Sequence, residues 1–115
     1  MQLTPFHLAI QVRDINEARD FYGNKMGLPE GRSSPDWIDF NLFGHQLVTH
    51  VNPQLGKAGK IASIANGVDG HGVPVPHFGV VLNFDDWEAL AETVTQFVDD
   101  FIIEPYIRFK GQPGE

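Results

Sequence analysis

The stretch Pro5–Val12, which reads PFHLAIQV, decides the fold because a second stretch, Pro76–Leu82 (PHFGVVL), repeats its pattern. Residues of strand type alternate in both copies, which predicts two β-strands with one apolar face each. His7 in the first copy matches His77 in the second, and each histidine falls on the face opposite the apolar one. The apolar faces consist of Leu8, Ile10 and Val12 in the first strand and of Phe78, Val80 and Leu82 in the second.

A helix is predicted after each of these strands. The tetrapeptides Asp14–Glu17 (DINE) and Asp85–Glu88 (DDWE) read as capping boxes, in which the first carboxylate accepts from free backbone N–H groups. Apolar residues at helical spacing follow both boxes, and Gly27 is a natural stop for the first helix. The sequence therefore contains a duplicated strand-then-helix unit, and internal repetition of this kind constrains the topology.

Three more strands are predicted after the first helix. Their residues alternate or are rich in strand formers, and Gly44 provides a tight turn between the last two. The first module, residues 1–52, is therefore predicted to have the order β-α-β-β-β. The strands are predicted at Trp37–Phe43, at His45–Val51 and at Leu28–Arg32, the last of which is a short edge strand or a turn.

The remainder of the chain is predicted to be a connector and a second module. The connector, residues 53–75, is rich in glycine and proline and has little periodicity, with a short ordered piece near Ile61–Ile64. The second module, residues 76–115, has a further strand predicted at Phe101–Phe109. It has no counterparts of the last two strands of the first module. We expect those strands to follow Glu115 in a longer chain, or else to come from another chain.

Composition bounds the function before any motif is considered. A chain of 115 residues is long enough for a modest core, so residues 1–115 are expected to form a single domain. Acidic side chains outnumber basic ones 15 to 8, and a net charge of −7 without a basic patch argues against a nucleic-acid partner. Disulfides and thiolate metal sites are excluded because the sequence has no cysteine. Because no apolar run is long enough to cross a bilayer, we expect a cytoplasmic protein with no membrane partner.

Paired β-α-β-β-β modules, each with a histidine on its first strand and a capped helix after it, resemble the vicinal oxygen chelate superfamily. This superfamily includes glyoxalase I, the fosfomycin- and bleomycin-resistance proteins and the extradiol dioxygenases. Besides the two histidine strands, the segments that carry the likeness are Phe21-Tyr22, Met26–Leu28, Trp37–Asn41, Phe43–Val48 and Arg108–Glu115. The resemblance implies an α+β fold in which paired βαβββ modules form a curved, cup-shaped mixed sheet with helices outside, the second module lacking its last two strands.

The resemblance also implies a metal site. Superfamily members hold a divalent ion with a histidine from the first strand of each module and a glutamate from a last strand. His7 and His77 match the two histidines, whereas the glutamate would lie beyond Glu115. Two imidazoles and a carboxylate leave open coordination positions on the metal ion, at which a substrate can bind through two adjacent oxygens. Iron, zinc, manganese and nickel are all compatible with this ligand set. The alternative is that each histidine packs at the start of its strand and hydrogen-bonds the backbone.

Two further residues are candidates for the site. His50 has the same strand parity as Gln46, so it is a candidate catalytic acid or base, or a substrate contact, with a surface position as the alternative. The resemblance places the segment of Arg108 near the mouth of the cup, which makes Arg108 a candidate contact to an anionic substrate, with a solvated surface charge as the alternative. His45 is expected to be solvated, and His71 is not expected to be a ligand.

Three functions are compatible with the resemblance. The first is a metal-dependent enzyme that acts on a small-molecule substrate as a lyase, an isomerase or a ring-cleaving dioxygenase. The second is a metal-free protein that sequesters a small aromatic or drug-like ligand, as the bleomycin-resistance branch does. The third is a degenerate homologue with no site. A homodimer is also expected, because a partner often completes or covers the half-cups of this superfamily.

Overall fold

A computed structural model of the chain describes residues 2–107, and these divide into two compact units. The first unit contains residues 2–62 and 78–81, and the second contains residues 63–77 and 82–107. Each unit has both strands and helical structure, so the predicted α+β class is confirmed. Within residues 2–107, every helix is too short or too polar to cross a membrane.

A four-stranded mixed sheet forms the first unit. The strands are β1 (His7–Val12), β2 (Glu30–Ser34), β3 (Trp37–Leu42) and β4 (His45–Val51). Their spatial order is β1-β4-β3-β2, with β1 parallel to β4 and the other neighbours antiparallel. A helical segment lies between β1 and β2 in the sequence, so the β-α-β-β-β order predicted for the first module is confirmed.

One face of this sheet carries the hydrophobic core of the first unit. Alternate side chains of β3 and β4 are fully buried there, and Ile38 and Leu47 are both 0% exposed. The apolar face predicted for β1 also packs against this core. The buried core residues are Leu28, Ile38, Phe40, Leu42 and Leu47, and the partly buried residues packed on them are Leu8, Ile10, Ile15, Tyr22, Met26 and Val80.

The first helix begins and ends where the sequence predicts. The Oδ1 atom of Asp14 accepts the backbone N–H of Glu17 at 2.7 Å, which caps the helix. Only the first turn, α1 (Ile15–Ala18), is α-helical. The chain then continues as a wider π-helical segment, Arg19–Lys25, which the sequence does not predict. Gly27 ends the helical segment with a φ of +74°, which costs glycine little.

A β-hairpin and a helix form the second unit. The hairpin pairs β5 (Ile64–Val68) with β6 (His71–Val75) in antiparallel register. Its two-residue turn is Asp69-Gly70, and both residues have the positive φ that a type I′ turn requires. The helix is α2 (Phe84–Thr95).

The hairpin lies in the stretch predicted to be an irregular connector. A short 3-10 helix, Pro53–Leu55, opens this stretch, and the two strands occupy its last part. The prediction of little regular structure is therefore wrong for residues 64–75. Glycine and proline within the strands hide their alternation, whereas Asp69-Gly70 is a strong hairpin signal in the sequence.

Two strands predicted for the second module do not form in the described residues. Residues 76–83 contain no strand, which corrects the prediction for Pro76–Leu82. The same holds for residues 101–107, the described part of the predicted Phe101–Phe109 strand. Pro76 and Pro105 have no N–H to donate to a sheet, so a strand that includes either residue loses a ladder hydrogen bond.

The second helix begins at a different cap from the predicted one. The Oδ1 atom of Asn83 accepts the backbone N–H of Asp86 at 2.9 Å, so α2 starts at Phe84. Asp85 and Asp86 lie in the first turn, where negative charge stabilises the helix through a favourable interaction with the helix dipole. The capping box predicted at Asp85–Glu88 is therefore wrong, whereas the helix itself is confirmed.

Candidate functional site

The face of the four-stranded sheet opposite the core is rich in polar side chains, and we name it the polar face. Strand pairing places His7 beside Gln46, and Gln11 beside His50. Asn41 of β3 lies on the other side of Gln46. Every second residue of β1, β3 and β4 contributes to this face because side chains alternate along a strand. Its members are His7, Ala9, Gln11, Trp37, Asp39, Asn41, Gln46, Val48 and His50.

His7 lies at one end of the polar face with an exposed side chain. Its Nδ1 atom is 3.0 Å from the Oε1 atom of Gln46. An amide oxygen only accepts hydrogen bonds, so this contact requires the proton of the neutral ring to be on Nδ1. The lone pair of Nε2 is then available to a metal ion or a proton.

His77 has the same kind of partner within the second unit. Its Nδ1 atom is 2.7 Å from the backbone carbonyl oxygen of Pro74, which also only accepts. The neutral ring therefore carries its proton on Nδ1 and leaves Nε2 free. Metal-binding histidines almost always donate their second N–H to such an oxygen, which fixes the tautomer and the ring orientation. His7 and His77 both meet this criterion for a metal-binding histidine, since each donates from Nδ1 to an oxygen and keeps Nε2 free.

His45 is held in the opposite way. Its Nδ1 atom accepts the backbone N–H of Phe6 at 3.0 Å, and the two rings lie 4.3 Å apart. The proton of the neutral ring is therefore on Nε2, which leaves neither nitrogen free for a metal ion. The expectation that His45 is simply solvated is wrong, because the residue is half-buried and fixes the backbone just before His7.

His50 lies on the polar face, as its strand parity predicts, but at the far end from His7. It lies four positions after Gln46 in β4, which corresponds to about 13 Å along the strand. Its neighbours are Gln11 on β1 and Trp37 on β3, and its ring centroid is 6.5 Å from the indole. Gln11 is engaged elsewhere, because its Oε1 atom accepts from the side chain of Asn52 at 2.6 Å.

An open groove of about 600 Å³ lies in the first unit, at the Gln46 end of the polar face. Its lining includes the polar residues Arg32, Asp39, Asn41 and Gln46. The Nε atom of Arg32 is 3.6 Å from a carboxylate oxygen of Asp39, and the arginine side chain is 86% exposed. A small molecule in this groove would therefore contact Gln46, the partner of His7. Arg108, the predicted substrate contact, lies outside the described residues.

Within residues 2–107, no three His, Asp or Glu side chains form a group that could hold a metal ion. His7 and His77 are the two predicted metal ligands that lie within residues 2–107. Gln46 contacts the His7 ring, a role that the sequence pattern does not predict. The available signal was weak, because its contact with His7 depends on the parallel pairing of β1 with β4.

The comparisons with known proteins agree with this fold. The model of the Glyoxalase/Bleomycin resistance protein/Dioxygenase superfamily matches residues 4–105. A crystal structure of a glyoxalase/bleomycin resistance protein/dioxygenase from Alicyclobacillus acidocaldarius has 31% sequence identity and a TM-score of 0.61 to this chain. That match covers 80% of this chain and 61% of the Alicyclobacillus chain, so this chain spans about three fifths of its length. No protein of curated function matches.

The family model covers most of the chain, from before β1 to beyond α2, and it includes both histidine stretches of the sequence repeat. The resemblance inferred from the sequence is therefore confirmed. This chain belongs to the glyoxalase/bleomycin resistance protein/dioxygenase superfamily.

Proposed function

We propose that the protein is a metal-dependent enzyme in which His7 and His77 are ligands of a divalent ion. The observation that carries the proposal is the matched hydrogen bonding of the two rings. Each donates from Nδ1 to an oxygen, Gln46 Oε1 in one case and Pro74 O in the other, and each keeps Nε2 free. Membership of the superfamily supports the same assignment, because its members often use divalent metals.

The substrate proposed is a small molecule with two adjacent oxygens. Lewis-acid chemistry on those oxygens is what a divalent ion supplies when bound. The residues of the chain then bind and orient the remainder of the substrate, with the groove beside Gln46 as the proposed position. His50 lies about 13 Å along β4 from Gln46, so it is proposed to move a proton there or to contact a substrate that extends along the polar face to that end. Arg108 is proposed to pair with an anionic group.

Metal analysis of protein purified without chelator tests the proposal. We expect a stoichiometric divalent ion in the wild type and its loss in His7→Ala and His77→Ala. His71→Ala is the matched control, because His71 is exposed and its ring contacts Tyr106 rather than a hydrogen-bond acceptor for Nδ1. Retention of the metal in both His7→Ala and His77→Ala would contradict the proposal.

The identity of the ion then separates the reaction types. Oxygen-sensitive iron favours ring cleavage by a dioxygenase, whereas zinc, nickel or manganese favours a lyase or an isomerase. Activity assays with catechols and with α-oxoaldehyde adducts, respectively, are the corresponding measurements.

A metal-free binding protein is the second candidate. It is favoured by the lack of a three-ligand group within residues 2–107 and by the open groove of about 600 Å³. Protein without bound metal that nevertheless binds small aromatic compounds in a calorimetric titration would support this function. Loss of that binding on replacing Asn41 or Gln46, which line the groove, would assign the site.

We also propose a homodimer, on the basis of the superfamily resemblance. Light scattering at micromolar concentration is the direct measurement, and a monomer at all concentrations would contradict this part of the proposal.

A further inference from the structure

We propose that Gln46 is a positioning residue that holds the neutral ring of His7 in its Nδ1–H tautomer. This inference rests on the proposed function, in which His7 is a metal ligand through Nε2. The carrying observation is the 3.0 Å contact between His7 Nδ1 and Gln46 Oε1. Removing such an outer partner of a ligating histidine typically lowers metal affinity by about 10- to 100-fold.

The backbone around Gln46 gives its side chain a fixed starting point. The N–H of Gln46 donates to the carbonyl oxygen of Phe6 at 2.9 Å, and the preceding His45 accepts the N–H of the same phenylalanine at 3.0 Å. Phe6 is therefore held on both sides, immediately before His7. The next residue, Leu47, is 0% exposed and packs in the core on the opposite face of the sheet, which fixes the position of β4 at this point.

Parallel pairing places Gln46 directly beside His7, where adjacent strands are about 4.8 Å apart. Asn41, its neighbour on the other side, does not compete as an acceptor, because its Oδ1 atom accepts the N–H of Gly44 at 2.7 Å. The amide oxygen of Gln46 is thus the acceptor that the described residues offer to the His7 ring. The free imidazole would otherwise distribute its proton between the two nitrogens.

Two-bond ¹H–¹⁵N NMR of the metal-free full chain in alkaline buffer tests the tautomer directly. The signals of His7 are assigned by their disappearance in His7→Ala. We expect wild-type His7 to be protonated at Nδ1, and Gln46→Leu, which removes the acceptor, to shift the proton toward Nε2. Gln46→Glu retains an acceptor oxygen, so it is expected to keep the wild-type tautomer.

Zinc titration gives an independent measurement. Gln46→Leu is expected to weaken zinc binding by about 10- to 100-fold, and Gln46→Glu to restore it to within a few fold of the wild type. Gln11→Leu is the matched control, since Gln11 occupies the same face of β1 and its side chain contacts Asn52 instead of a histidine. It is expected to change neither the tautomer nor the affinity.

A wild-type His7 protonated at Nε2, or an unchanged tautomer in Gln46→Leu, would overturn the positioning role. These outcomes are distinct from failure of the proposed function, which is measured by metal content in His7→Ala. If the tautomer changes as expected while His7→Ala keeps its metal, the positioning of the ring stands and the ligand assignment falls.

Discussion

Tyr22 is a partly buried titratable side chain that packs against the core of the first unit. Its ring lies 5.6 Å from that of Phe40 and 4.9 Å from that of Phe21. Burial raises the pKa of the Tyr22 phenol above its ordinary value near 10, because the charged phenolate is poorly solvated there. The folded chain therefore prefers the neutral phenol more strongly than the unfolded chain does.

This difference predicts a loss of stability in alkali. With a raised folded-state pKa, the contribution of Tyr22 is fully present below the unfolded pKa and is lost as pH rises through the folded pKa. We expect the free energy of unfolding of the wild type to fall above about pH 10, and that of Tyr22→Phe to fall less. Urea unfolding between about pH 8 and pH 11 is the measurement.

The control for this prediction is Tyr106→Phe, which removes the other tyrosine of the chain. Tyr106 is exposed, and its hydroxyl donates to a carboxylate oxygen of Asp69 at 3.3 Å. The alkaline decline should remain in this variant. An equal decline in the wild type and Tyr22→Phe would show that some other group is responsible.

Only some residues of the candidate site can be recognised from a single sequence. His7 and His77 are recognisable because they recur at matched places in the repeat. Gln46 and His45 are not, because their roles depend on which strands become neighbours and on the side-chain hydrogen bonds that follow. The placement of His50 on the polar face follows from parity, whereas its distance from His7 follows only from the register.

At the scale of elements, the N-terminus of α1 combines a cap with an ion pair. The carboxylate of Glu17 contacts Arg13 at 2.7 Å, and the Arg13 guanidinium also donates to the carbonyl of Lys57. Hydrogen bonding and charge attraction from Arg13 lower the pKa of Glu17 below its ordinary value of 4.5. The same contacts raise the pKa of Arg13.

Glu17→Gln is therefore expected to reduce stability at neutral pH. Both side chains of the pair are largely exposed, so the loss should be only about 0.5 kcal/mol. Because the folded pKa is depressed, the contribution is present above about pH 4.5 and is lost as pH falls through the folded value. Wild type and variant should thus converge in acid, as measured by urea unfolding at several pH values.

Glu92→Gln provides the comparison, since Glu92 is an exposed residue of α2 with no ion pair within residues 2–107. It should leave the pH dependence unchanged. A difference between Glu17→Gln and wild type that persists undiminished in acid would mean that the ion pair is not its source.

The side chain of Asp14 caps the N-terminus of α1. Asp14→Ala removes the acceptor for the N–H of Glu17 and should destabilise the first unit by about 1 kcal/mol. Asp14→Asn, which keeps a side-chain oxygen, should recover most of the loss. Thermal unfolding followed by circular dichroism would compare the three proteins, and equal stability of Asp14→Ala and the wild type would exclude a capping role.

The helices and strands differ in how well they can be predicted from the sequence. The strands β3 and β4 alternate between apolar and polar residues or carry a buried run, so their prediction succeeds. The hairpin β5–β6 has exposed residues along all of β5 and glycine in both strands, so no apolar period marks it. The second histidine stretch has the period of a strand, but its hydrogen-bond partners are absent within residues 2–107.

At the scale of the whole molecule, the fully buried side chains are concentrated in one unit. Among residues 2–107, every buried residue lies in the first unit. The second unit has no buried residue within residues 63–77 and 82–107, and its apolar residues Ile64 and Ile102 are 65% and 79% exposed. Hydrophobic burial therefore stabilises the first unit more than the second.

This asymmetry predicts unequal effects of truncating leucines. Leu47→Ala removes a fully buried side chain from β4 and should cost about 2–5 kcal/mol. Leu90→Ala removes a half-buried side chain from α2 and should cost clearly less. Comparable losses of unfolding free energy in the two variants, measured in urea, would contradict the asymmetry.

Hydrogen exchange of the native protein would locate the same asymmetry without any substitution. Amides of β3 and β4 lie in the centre of the four-stranded sheet above the buried core, so we expect them to exchange most slowly. The two-stranded hairpin and α2 have no fully buried residue, and a lone hairpin is only marginally stable in water, so their amides should exchange faster.

Addition of a divalent metal that binds His77 should slow exchange next to the hairpin, because a ligand stabilises the folded form that it binds. Protection of β5 and β6 equal to that of β4 in the metal-free protein would show that the second unit is stabilised by something other than its own buried surface.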